Sequence, residues 1–154
     1  MEFWVFINIF FLIFIIMKVC LKNTSKLFKS EEIEILSDLV KFLQKDLPLE
    51  EDTYITFLKN RKLPMTTGVR YPNHEIYVLS NRLLIDVVRT LIHEWVHEFQ
   101  HQKMGLSDDD KIQDIGGPEE NMANVLAGIF TKKFQKEYPD YEVTLYGESE
   151  SSDF

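Results

Sequence analysis

The sequence predicts an α+β fold: a short antiparallel sheet, a long buried helix and a second helix after it, preceded by an apolar N-terminal helix. Three observations predict it. Residues 84, 87, 88, 91, 92, 95, 96 and 99 are apolar, the spacing of a helix with one buried face. Residues 54–58 and 76–79 are short runs rich in β-branched and aromatic types, bounded by turn formers. Residues 3–17 contain a single polar side chain, Asn8. The 154 residues are enough for one core and too few for two.

The apolar start divides the chain into an anchor or signal segment (1–22), a folded domain (23–146) and an acidic tail (147–154). As a helix, residues 3–21 would reach roughly 28 Å, the minimum for a hydrocarbon core of about 30 Å if Lys18 extends its charge to the surface. Only Glu2 precedes the apolar run and no small-x-small site follows it, which favours an uncleaved single-pass membrane anchor over a cleaved signal. Lys18, Lys22, Lys26 and Lys29, with no acid between them, put the domain on the cytoplasmic side. Translation from Met17 would instead leave a soluble cytoplasmic protein.

Ser30, followed by Glu31 and Glu32, reads as a helix cap. Ile33, Leu36, Leu39, Val40 and Leu43 continue the helical period as far as Pro48. Pro64, Gly68, Pro72 and Asn73 separate the two β-prone runs. Asn81 caps the long helix, residues 82–104, and Gly105 closes it. After a polar loop, Pro118 opens the second helix, which Pro139 stops near Tyr138.

Charge narrows the partners. Residues 1–103 balance 13 Lys/Arg with 13 Asp/Glu, whereas residues 104–154 hold 4 against 12. This argues against a nucleic-acid partner, because phosphate binding needs clustered cations. The single cysteine, Cys20, excludes a disulfide framework and a thiolate metal site, so any metal is held by nitrogen and oxygen.

The chemistry concentrates in His93-Glu94-Trp95-Val96-His97. Four residues is just over one helical turn, so both imidazoles project from one face and can converge on one ion. Glu94 lies about 100° round the helix, able to reach a water held by that ion without ligating it. Zinc-assisted hydrolysis needs this set: two neutral nitrogen donors and a base. His101, about 12 Å along the axis from His93, is too distant to share the ion. The third ligand comes from the second helix, where Glu120, Ala123, Asn124 and Ala127 share one face. The alanines allow close approach, Glu120 completes the coordination, and Asn124 hydrogen-bonds the far nitrogen of His93 or His97. Glu119 complements the helix N-terminus. Asp108, Asp109 and Asp110 lack the spacing and glycine of a calcium loop and are read as solvated.

HEWVH, followed some 22 residues later by the E-x-x-A-N-x-x-A-G helix, resembles the gluzincin type of zinc metallopeptidase, in particular the small HExxH proteins encoded by phages and other viruses. The resemblance runs from about Thr53 to Tyr138 and takes in the His74–Val78 run, Asn81-Arg82 and the turn from Gly117 to Asn121; it does not extend to the apolar N-terminus. It implies a zincin-like domain, Zn2+ as cofactor, His93, His97 and Glu120 as its ligands and Glu94 as catalytic base. The expected reaction is hydrolysis of a peptide or protein substrate, with Glu94 taking a proton from the zinc-held water and returning it to the leaving amine. Residues 76–79 could receive the substrate as an edge strand or lie inside the sheet. His74, Tyr138, Tyr141 and Tyr146 are open alternatives for the oxyanion donor. Other readings are a non-catalytic zinc-stabilised binding module tethered to a membrane, and a membrane-linked interaction protein that binds no metal.

Overall fold

The computed structural model describes residues 3–7, 12–16, 18–23, 26–64, 66–105 and 117–147. Strands β1 (Phe3–Ile7), β2 (Leu12–Ile16) and β3 (Val19–Lys22) are followed by helix α1 (Ser30–Asp46), strands β4 (Thr53–Leu58), β5 (Gly68–Tyr71) and β6 (Glu75–Leu79), and helices α2 (Leu84–Met104), α3 (Pro118–Glu137) and α4 (Glu142–Tyr146). The class is α+β, but among the described residues the expected apolar N-terminal helix is not found. Its described parts are extended, with β1 and β2 paired antiparallel. The run is dense in Ile, Val and Phe, types that suit a pleated strand as well as a lipid-facing helix. Among the described residues no helix is long and apolar enough to cross a membrane.

The sheet is mixed rather than antiparallel, with order β1-β2-β3-β4-β6-β5. Between β3 and β4 the chain crosses over through α1, so the two strands run parallel. Strands β5 and β6 form a hairpin through a turn in which His74 has φ 67°, and β6 inserts parallel to β4. Residues 76–79 are therefore interior, and β5 is the edge. Nothing in the spacing of Gly68, Val69, Arg70 and Tyr71 sets them apart from the turn formers around them.

Ile55, Phe57, Ile76 and Val78 are fully buried on one face of the sheet. Helix α2 lies against β5 and β6, and α3 packs on α2. Trp95 on α2 is fully buried, and its indole N–H donates to Leu47 O at 2.9 Å. The start of α2 differs by a few residues from expectation. Leu83, not Asn81, is the N-cap, while the Arg82 guanidinium binds Leu79 O and Thr90 Oγ1. Ser30 is likewise the first helical residue of α1 rather than its cap; the Lys29 N–H is met by Glu32 Oε1 at 2.8 Å. Gly105 ends α2 with φ 69°, and Pro118 opens α3, both as expected. Helix α4 was not anticipated; it buries Leu145 against the core. Asp108, Asp109, Asp110 and residues 148–154 lie outside the described residues.

Candidate metal centre

Helix phase brings the two α2 histidines together, with ring centroids 4.8 Å and Nε2 atoms 3.2 Å apart. Ala123 and Ala127 are buried, and α3 crosses α2 closely enough for its first turn to reach them. Glu120 Oε1 lies 3.0 Å from His97 Nε2 and Oε2 lies 3.2 Å from His93 Nε2. These three donor atoms fall within 4.8 Å of one another, a group that could hold a metal ion. The site opens to solvent, with the side chains of His93, His97 and Glu120 exposed by 20%, 24% and 35%.

The donor chemistry fits a cation. Gln100, 2% exposed, donates its amide N–H to Glu119 O at 3.0 Å, which turns its oxygen toward His97 Nδ1 at 2.9 Å. An amide oxygen only accepts, so Nδ1 carries the proton and the Nε2 lone pair faces the centre. Asn124 hydrogen-bonds His93. Nitrogen lone pairs and a carboxylate at this separation repel unless a positive charge lies between them. Ligands with bonds of about 2.0–2.1 Å to a tetrahedral ion stand about 3.3–3.4 Å apart, close to the distances found. Burial, aided by the His97 imidazole, holds His93 below the ordinary imidazole range against the pull of Glu120, so the ring favours its neutral, ligating form.

Glu94 stands beside the centre without belonging to the donor group. Burial pushes its carboxyl up to about 7, with Glu120 adding to the rise and His97 and Arg70 opposing it. Gly68 of β5 lies directly over it. A Cβ there would sit 2.6 Å from Thr90 Cγ2 and 3.0 Å from Glu94 Cγ, so only glycine lets the edge strand come this near.

Two features were missed from the sequence. One is Gln100 behind His97. The other is Glu98, fully buried one residue after His97, where it accepts from Arg70 Nε at 2.5 Å and Gln102 Nε2 at 2.5 Å and pairs with His74 Nδ1 at 2.6 Å. Glu98 shares the helix face of Leu91 and Trp95, and Gln100 that of Ile92 and Val96, so their phase was the available signal. Of the four oxyanion alternatives, His74 is engaged by Glu98, Tyr141 donates to Asp38, Tyr146 accepts from Gln135, and Tyr138 stacks on Tyr141. The His101 ring lies 5.9 Å from that of His74, outside the donor group. Glu119 is in the first turn of α3, as expected.

Comparisons with protein-family models, with curated proteins and with solved structures returned no match. The geometry therefore carries the functional argument. Gln100→Leu is expected to weaken metal affinity about 10- to 100-fold, the usual effect of removing a hydrogen bond that orients a ligand. Titration against a chromophoric chelator measures it.

Proposed function

We propose that this protein is a zinc-dependent metallopeptidase of the gluzincin type, built on a zincin-like domain. The observation that carries the reading is the convergence of His93, His97 and Glu120 within 4.8 Å, with Glu94 beside them and outside the donor group. Two imidazoles and one carboxylate make a three-residue ligand set that leaves a zinc position open for reaction. A zinc ion held there would supply Lewis-acid polarisation of a carbonyl and acidify a water. Glu94 accepts the proton of the attacking water and passes it to the leaving amine. Gln100 and Asn124 keep the imidazoles turned to the centre.

Strand β5 supplies the means of holding a peptide. Leu79 N–H donates to Thr67 O at 2.8 Å. Hydrogen-bonded pairs alternate along an antiparallel ladder, so the backbone groups of Gly68 and Arg70 point away from β6. Among the described residues no strand pairs with that side. An extended peptide added there lies next to Glu94, because Gly68 does. Purified protein is expected to carry about one zinc per chain, to cleave an unfolded protein substrate, and to lose that cleavage on chelation and regain it when zinc is returned. A zinc-loaded preparation that cleaves no peptide overturns the reading.

A further inference from the structure

The segment that forms the edge strand is charged unlike the rest of the chain. Residues 59–92 carry six Lys/Arg against two Asp/Glu, a local +4 in a protein of net −8. Two of these cations, Arg61 and Arg82, meet where the chain runs into β5. Arg61 Nη1 donates to Thr66 O at 2.9 Å, and Arg82 Nε donates to Leu79 O at 3.1 Å. Because Leu79 N–H is bonded to Thr67 O, both guanidiniums bracket the same piece of backbone, just ahead of Gly68. The Lys62 ammonium lies 4.6 Å from the centre of the Tyr77 ring; Tyr77 alternates with the inward Ile76 and Val78, so Lys62 covers the sheet face away from α2.

This cluster adjoins the candidate centre. Arg82 Nη2 reaches Thr90 Oγ1 at 2.8 Å, and Thr90 precedes Glu94 by one turn of α2, about 6 Å. Of the segment's acids, Glu75 accepts from the Tyr77 hydroxyl at 2.7 Å on the far face of the sheet, whereas Asp86 faces Arg89 at 3.7 Å and also acts on Arg82. The bonds found for Arg61 and Arg82 go to carbonyls and a hydroxyl, which satisfy their donors without cancelling their charge. Burial holds Arg82 below its ordinary range; Asp86 opposes this and the Arg61 charge adds to it. Across the centre, α3 presents Glu119 and Glu120 in its first turn.

We infer that Arg61 and Arg82 form a subsite for a carboxylate of the bound peptide, so that substrates with a carboxylate to one side of the cut bond are selected. The inference rests on the peptidase reading in taking β5 as the strand that receives the peptide. Two cations on a net-negative protein are too few to hold a nucleic-acid backbone. The carboxylate can belong to an Asp or Glu side chain or to a free C-terminus.

Four fluorescent peptides separate these cases when bound to zinc-loaded Glu94→Gln protein: Glu-flanked with an amidated end, Gln-flanked with a free end, Gln-flanked with an amidated end, and Lys-flanked with an amidated end. One of the first two is expected to bind about three- to tenfold more tightly than the third, and which one identifies the source. The advantage shrinks as salt rises. Arg61→Glu, at an exposed position and so compatible with folding, should remove it and favour the Lys-flanked peptide. Equal affinity for all four, an acid preference that survives the Arg61 substitution, or equal capture of a single-stranded oligonucleotide overturns the subsite. Wild-type cleavage of the neutral peptide is scored separately: cleavage without acid preference rejects the subsite alone, and acid-selective binding without any cleavage rejects the peptidase reading alone.

Discussion

Glu94→Gln is expected to reduce hydrolysis by about 10²–10⁴-fold, the range for losing a positioned general base, while the metal stays bound. The amide has the shape of the carboxylate but cannot take a proton at neutral pH. Glu94 lies outside the group formed by His93, His97 and Glu120, so its replacement leaves all three donors in place. The close fit beneath Gly68 is preserved by a side chain of equal size. Turnover of a quenched fluorogenic peptide, measured beside zinc content on the same preparation, separates chemistry from metal loss. Full activity in the variant would remove Glu94 from the role of base.

His97→Ala has the opposite signature, with loss of metal first and of activity as a result. A structural zinc site of about 10–16 kcal/mol spread over four ligands assigns about 2.5–4 kcal/mol to each, so affinity should fall about 10²–10³-fold. The loss also strands the oxygen of Gln100 at a 2%-exposed position. Glu120→Gln keeps a neutral oxygen donor and should weaken zinc binding less. Metal content after dialysis and chelator competition give both values. Zinc held by Glu120→Gln at wild-type affinity would move the third ligand to a different acid.

The helices were legible because each carries its own punctuation. Pro118 and Gly105 mark ends that the structure reproduces, and the period of apolar residues marks the face of α2 that is buried. The same period pointed to His93, His97 and Glu120, which the structure brings together as a group that could hold a metal, since residues on helices that must converge obey the geometry that orients core residues. Strand pairing was less accessible. Whether β4 meets β6 in parallel depends on a crossover and a hairpin insertion, contacts between distant parts of the chain that no local pattern encodes. Strand β5 is four residues long and begins with a glycine, so it reads as turn until its partners are known. Gln100 and Glu98 were passed over for a related reason: a polar residue at an inward phase has meaning only when the groups that face it are known, here His97 in one case and Arg70 with His74 in the other.

The hold of α2 on the rest of the molecule owes nothing to an ion. Leu91, Ile92, Trp95 and Val96 are all fully buried around the two histidines, and the Trp95 indole is tied to Leu47. Unlike a zinc finger, which melts when stripped, this chain would keep its shape after demetallation. If zinc is its metal as proposed, the protein would persist as an idle scaffold and be rearmed by whatever zinc its surroundings supply, without having to refold.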